Sequence, residues 1–150
     1  MKKSVGEFEI DDDRGRVDFA TVHRWLAGSY WSPGVERGVV ERAAKYSSLV
    51  IGVYRGAEQV GYARVISDRA TFAWVADVFV DEAHRGRGLG REMVRFALEH
   101  PEHQGLRRWL LATKDAHGVY AEVGFGPLDK PESMMIHRPA GRANWEAPGG

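Results

Sequence analysis

The chain has no cysteine. That excludes disulfides, thiolate metal sites and a cysteine nucleophile. It has no net charge either, because 21 Lys and Arg balance 21 Asp and Glu. Such a balance gives no bulk electrostatic pull toward nucleic acid or an anionic membrane. No apolar run approaches the length of a membrane span. Met1-Lys2-Lys3-Ser4 leads into polar sequence without a signal-like apolar segment. The expectation is a cytoplasmic protein with neither nucleic acid nor membrane as partner. There is no internal repeat and no low-complexity stretch. The remaining composition, 43% apolar and 28% charged over 150 residues, is that of one globular domain with one substantial core.

Glycine, by contrast, is plentiful, and three glycines alternate in Arg85-Gly86-Arg87-Gly88-Leu89-Gly90. An apolar run, Trp74 to Val80, precedes them. An amphipathic run, Leu89 to His100, follows. A glycine-rich turn between a strand and a helix start can cradle a phosphate. Glycine permits positive φ and close approach, and the helix start aims N–H groups at an anion. Gly90 is followed by Arg91-Glu92, so the lysine and hydroxyl of a P-loop are missing. The spacing by twos is not the G-x-G-x-x-G of a dinucleotide fold. Arg85 and Arg87 lie in the turn and are phosphate candidates. Arg91, Arg95 and Glu99 follow at helical spacing and read as a solvated face.

Hydrophobic periodicity places the elements. Val5 to Ile10 reads as an edge strand. Asp18 can cap a helix through Val22, Trp25 and Leu26, ended by Gly28. Ser29 to Gly34 is a turn carrying Tyr30 and Trp31. Val35 to Tyr46 is a second helix. Leu49–Tyr54 and Val60–Ile66 flank Arg55-Gly56-Ala57-Glu58 as a hairpin. Thr71 to Val80 reads as a central strand covered on both faces. A third helix, Leu89 to His100, carries a core stripe of Leu89, Met93, Phe96 and Ala97. A parallel strand over Arg108 to Thr113 follows, then a helix over Ala116 to Val123, with Asp115 as a candidate cap. Met134 to His137 reads as a last strand. Residues 1–140 form the domain, and 141–150 read as a flexible tail.

The pattern R-x-x-G-x-G, carried by Arg85, Gly88 and Gly90 with Val80 five residues before, resembles the pyrophosphate-binding motif of the GNAT superfamily of acyl-CoA-dependent N-acetyltransferases. Ala116, Tyr120 and Gly124-Phe125 match that family's A-x-x-x-Y-x-x-x-G-F pattern in the same order. The resemblance implies a single α/β domain, a mixed and centrally splayed β-sheet flanked by about four helices. It implies transfer of an acetyl group from acetyl-CoA to a primary amine by direct attack in a ternary complex, with no metal. A non-catalytic acyl-CoA-binding or regulatory module on the same fold is the competing reading.

The resemblance also assigns residues. Arg85, Gly86, Arg87, Gly88, Leu89 and Gly90 would hold the pyrophosphate. A backbone N–H near Phe79 or Val80 would polarise the thioester carbonyl. Tyr120 would be the general acid. Thr113 and Ala116 would touch the cofactor, although many relatives have Asn at the position of Thr113. Tyr30, Trp31 and Tyr62 would line a pocket for a small-molecule or peptide amine, and a homodimer is allowed. Two residues compete for the base. Asp77 sits among apolar strand neighbours Val75 and Phe79, where a lone acid needs a partner or a role. His117 is one turn before Tyr120, as a base, a substrate contact or a wet helix start.

Overall fold

A computed structural model describes residues 1–140. The expected tail, 141–150, lies outside the described residues. Six strands form one sheet in chain order: β1 (Lys2–Val5), β2 (Phe8–Asp11), β3 (Leu49–Arg55), β4 (Glu58–Ser67), β5 (Phe72–Val80) and β6 (Arg108–Leu110). The first five pair antiparallel, and β5 and β6 pair parallel. Four α-helices accompany them: α1 (Phe19–Ala27), α2 (Arg37–Tyr46), α3 (Leu89–Glu99) and α4 (His117–Ala121).

The single N-terminal strand expected from the sequence is two. Gly6, at φ 58°, turns the chain so that Val5 pairs with Phe8. Only glycine enters that backbone region without strain. The expected last strand is absent. Met134 to His137 is exposed and outside the sheet.

Helix boundaries follow local chemistry. The Asp18 carboxylate accepts from the Thr21 N–H and caps α1. The guanidinium of Arg14 donates to Ala44 O and Ser47 O, each at 2.6 Å, satisfying carbonyls where α2 ends. The sheet separates two cores. On one face α3 inserts Leu89, Met93, Phe96 and Ala97 against Ile10, Ile51, Val53 and Val65. On the other, α1 and α2 pack Val22, Trp25, Val40 and Ala44 on Val50 and Tyr62. Each such fully buried large side chain contributes about 1.5–3 kcal/mol.

The functional geometry starts from two irregularities of β5. Tyr62 pairs with Phe79 and Arg64 with Ala76, so Asp77 and Val78 together oppose Ala63. This is a β-bulge, and Asp77 takes φ 56° within it. The bulge changes the alternation of the strand. Ala73 belongs to the α3 core before it, and Val78 and Val80 pack on that core after it. The strict period of two that grouped Asp77 with Val75 and Phe79 therefore fails here. Secondly, β5 pairs with β6 only from Phe72 to Trp74. Beyond that point the two parallel strands part. Strand β6 ends at Leu110, three residues before the expected Thr113, and a cleft opens between them.

Candidate active site

The cleft has a volume of about 390 Å³. Its walls are Val75 to Val78 on one side and Leu111 to Thr113 on the other, with Tyr120, Asp115, Tyr30, Trp31 and Arg64 around them. Tyr120 arrives from α4, a single helical turn. Gly124, at φ 100°, ends that segment with the Phe125 N–H on Tyr120 O. Burial raises the Tyr120 phenol above its ordinary range, and the nearby Tyr30 and Asp115 add to the shift. The phenol is thus held in its protonated form.

The loop after α1 forms the lid of the cleft. Tyr30 and Trp31 meet edge to face, 5.1 Å between centroids. The Trp31 indole N–H donates to Asp77 Oδ1 at 3.0 Å. Arg64 Nε donates to Asp77 Oδ2 at 2.6 Å. Across the cleft, the Lys114 backbone N–H donates to the Tyr30 hydroxyl at 3.0 Å. The two aromatics therefore bridge both lips. Trp25, by contrast, stacks on Phe79 at 5.3 Å within the core.

These contacts revise several expectations. Both oxygens of Asp77 are engaged, one in an ion pair, so its first role is to hold Trp31 and Arg64. Tyr62 is fully buried in the core beneath α1 and α2, and its hydroxyl has no hydrogen-bond partner. A side chain with no exposed surface meets no acceptor, so Tyr62 is a core residue. His117 is exposed and does not line the cleft. The Thr113 hydroxyl accepts the Ala116 N–H at 3.0 Å just before α4, and no side chain, Asp115 included, caps that helix. Arg64 is the residue that sequence reading missed. The signal was present: one arginine inside the apolar run Val60 to Ile66.

The glycine turn lies beside the cleft, between the end of β5 and α3. Gly86 and Gly88 take φ 81° and 75°. Gly88 is the cap residue of α3, and no side chain caps that end. The backbone N–H groups of Gly88, Leu89, Gly90 and Arg91 have no hydrogen-bond partner among the described residues. A side chain at Gly90 would sit 3.8 Å from Val78 and 3.9 Å from Val80, so the helix start lies close on the strand. A row of free N–H groups at the positive end of a helix fits a pyrophosphate. The arginine side chains of the turn make surface contacts of their own. Arg85 Nε donates to Val80 O at 2.9 Å, with its guanidinium 5.2 Å from the Phe79 ring centre. Arg87 donates to Glu7 at 2.6 Å, and Arg91 pairs with Glu122.

Comparison with known proteins agrees with this geometry. The sequence profile of the acetyltransferase (GNAT) family matches residues 13–125. The chain belongs to the GNAT acetyltransferase family. A GNAT-family protein from Xanthomonas campestris pv. campestris superposes with a TM-score of 0.85 at 40% identity, over 91% of this chain and 96% of that one. The glucosamine-6-phosphate N-acetyltransferase of Arabidopsis thaliana shares the fold, with a TM-score of 0.61 at 14% identity over 89% of this chain and 98% of that one. In sequence, the glucosamine 6-phosphate N-acetyltransferase 1 of Oryza sativa subsp. japonica is 44% identical over 64 residues. That match spans 42% of this chain and 38% of the rice protein, so it covers under two fifths of that relative. GNAT enzymes use acetyl-CoA as co-substrate. Among the described residues, no helix of this GNAT chain is long and apolar enough to cross a membrane.

Proposed function

We propose that this GNAT protein moves an acetyl group from acetyl-CoA to a primary amine by direct attack, with donor and acceptor bound together. One observation carries the reading. The free N–H row at the start of α3 lies close on Val78 and Val80 of β5, and Val75 to Val78 of the same strand wall the cleft that Tyr120 lines, so row and cleft can serve the two ends of one extended ligand. When bound, acetyl-CoA supplies an activated thioester carbonyl.

The chain's own residues divide the work. The N–H groups from Gly88 to Arg91 hold the pyrophosphate. A main-chain N–H of Phe79 or Val80, just past the bulge, stabilises negative charge on the carbonyl oxygen. Donors of this kind contribute about 3–4 kcal/mol to transition-state stabilisation. Thr113 and Ala116 flank the cofactor arm. Tyr120 holds a proton at its phenol oxygen for the departing sulfur. The amine, already free of its ammonium proton, bonds through nitrogen to the carbonyl carbon as the carbon–sulfur bond breaks; the proton it then sheds leaves to water, and water returns a proton to the Tyr120 oxygen. Asp77 fixes Trp31, and through it the acceptor lid. We assign Asp77 to positioning rather than to accepting the amine's proton. Tyr30 and Trp31 offer ring faces and edges to a small-molecule or peptide amine.

Release of free thiol from acetyl-CoA, followed against a panel of amines, tests the reading. Amine-dependent release is the expected result. Tight coenzyme A binding without release on any amine class would instead place the chain among acyl-CoA-binding modules.

A further inference from the structure

The two lips of the cleft differ in polarity. Arg64 is the one lysine or arginine in its wall. On the paired strands Arg64 lies opposite Ala76 and Ile66 opposite Trp74, so Arg64 and Trp74 are diagonal neighbours on one face of the sheet. Arg64 Nε donates to Asp77 Oδ2 at 2.6 Å, and Nη1 donates to the Ser47 hydroxyl at 3.3 Å. Nη2 has no hydrogen-bond partner among the described residues, although the side chain is only 17% exposed. Two more donors of the wall are free in the same sense, the Trp74 indole N–H and the Ser32 hydroxyl. Ser32 follows Trp31, which Asp77 also holds, so the lid brings it toward Arg64. All three residues are half-buried, but these three atoms are not sealed off, and each keeps accessible surface.

The other lip offers the opposite charge. Asp115 and Tyr120 line it together. The Asp115 carboxylate makes no hydrogen bond or ion pair among the described residues, whereas that of Asp77 has both oxygens engaged. One side of the cleft thus presents free donors around a guanidinium, and the other a free carboxylate beside the phenol.

We infer that the acceptor is an amine that also carries a carboxylate, a free amino acid in the simplest case. Arg64 Nη2, the Ser32 hydroxyl and the Trp74 indole N–H hold the carboxylate, and the amine faces Asp115 and Tyr120. The inference rests on the transferase reading above and narrows its acceptor. Charge selects a carboxylate over a phosphate. Arg64 and Asp77 already cancel, so one shared guanidinium meets a single negative charge better than the roughly 1.5–2 charges of a phosphate monoester. A diamine would bring its second ammonium against donors alone. The carboxylate keeps its charge throughout. It anchors the acceptor and takes no part in bond making, while the amine is acetylated as described.

Thiol release from acetyl-CoA is compared for acids and their amides: glycine, β-alanine and γ-aminobutyrate, each against the matching amide. O-phosphoethanolamine and putrescine complete the panel. Rates are referred to the free-base amine. The best acid should exceed its amide in kcat/KM by about 10- to 100-fold, the worth of a hydrogen bond to a charged group. Arg64→Gln should bring that ratio close to one, whereas a purely structural role would lower acid and amide by the same factor. Should that variant fail to fold, Ser32→Ala, whose hydroxyl has no internal bond to lose, should reduce the ratio about 3- to 10-fold. Amides used as well as acids, a ratio that the substitutions leave untouched, or a preference for O-phosphoethanolamine or putrescine overturns the proposal. Release with no amine at all is instead a failure of the transferase reading. Calorimetry of the coenzyme A complex then decides: acid binding that Arg64→Gln abolishes supports the anchor, and equal or absent binding of acid and amide overturns it.

Discussion

The indole of Trp31 and the carboxylate of Asp77, 46 positions apart, meet at 3.0 Å and tie the acceptor lid to the bulge of the central strand. The tie works because Asp77 sits in the left-handed region at φ 56°, which Asp and Asn tolerate better than other side chains.

Asp77→Asn should keep both the backbone conformation and an acceptor for the indole, and lower stability by about 1–2 kcal/mol through loss of the charged bond to Arg64. Asp77→Ala should cost about 2–4 kcal/mol, since it strands a half-buried guanidinium. Denaturant melts measure both. In steady-state kinetics the Ala variant should raise KM for the acceptor and leave KM for acetyl-CoA unchanged. An Asn variant that loses turnover as fully as the Ala variant, while stable, would return Asp77 to the role of base.

Tyr120→Phe should lower kcat by about 10²–10⁴-fold with little change in KM for acetyl-CoA. The sign of the pH dependence follows from burial. An acid acts in its protonated form, and burial raises this phenol's pKa, which extends that form upward in pH. The alkaline limb of kcat should therefore not appear below about pH 10. Single-turnover rates separate this effect from slow product release.

Gly88→Val should abolish coenzyme A binding in calorimetry. A Cβ there would lie 2.6 Å from the Arg91 guanidinium, a flexible end that can move, so steric conflict is the lesser effect. The greater is the φ of 75°, which costs an L-residue about 1–2 kcal/mol and more for a β-branched one. The helix start would shift and its N–H row would lose alignment. Retained affinity would remove the pyrophosphate from this turn.

Acid should destabilise the fold in two stages. His103 is buried, and burial first, then the neighbouring His100, lowers its pKa. A neutral imidazole favoured in the fold gives stability that is complete above the unfolded pKa of about 6.5 and declines as pH falls below it. Carboxylates govern the second stage. Burial acts to raise Asp11, Asp12 and Glu92, but hydrogen bonds from Arg16, from the N-terminus with His100, and from Lys3 outweigh it and hold each below its ordinary value. Their contribution is present above about pH 4 and is lost as pH falls further. Urea titrations from pH 8 to 3 should show both declines, and His103→Gln should remove only the first.

Tyr62→Phe should leave acceptor kinetics unchanged and hold or raise stability by about 1 kcal/mol, because its buried hydroxyl has no partner to lose. A raised acceptor KM would reopen the cleft to this residue.

The glycine turn was legible because its chemistry is local: three glycines, a strand before and a helix after. Tyr120 was legible only within its spacing pattern, since one tyrosine on a short helix says little. The central strand was legible as a strand and illegible as a bulged one. Nothing in Ala76-Asp77-Val78 marks an inserted residue, because the bulge is set by register against Ala63 on β4. From that one shift came the misplaced face of Asp77. Tyr62 was misread for a related reason: which face of a hairpin strand meets helices is decided by α1 and α2, distant in sequence. The last strand carried the right composition, but a strand exists only where an edge receives it.

Arg85 holds Val80 O through Nε alone, and Arg87 and Arg91 pair with Glu7 and Glu122 at the exposed surface, which leaves the amide dipoles as the fixed part of the anion cradle. Dipoles release no counterions when they take up a charged ligand, and their field is short-ranged. The ionic strength of the medium should therefore weigh less on the amide cradle itself than on the exposed arginine pairs around it, which salt loosens.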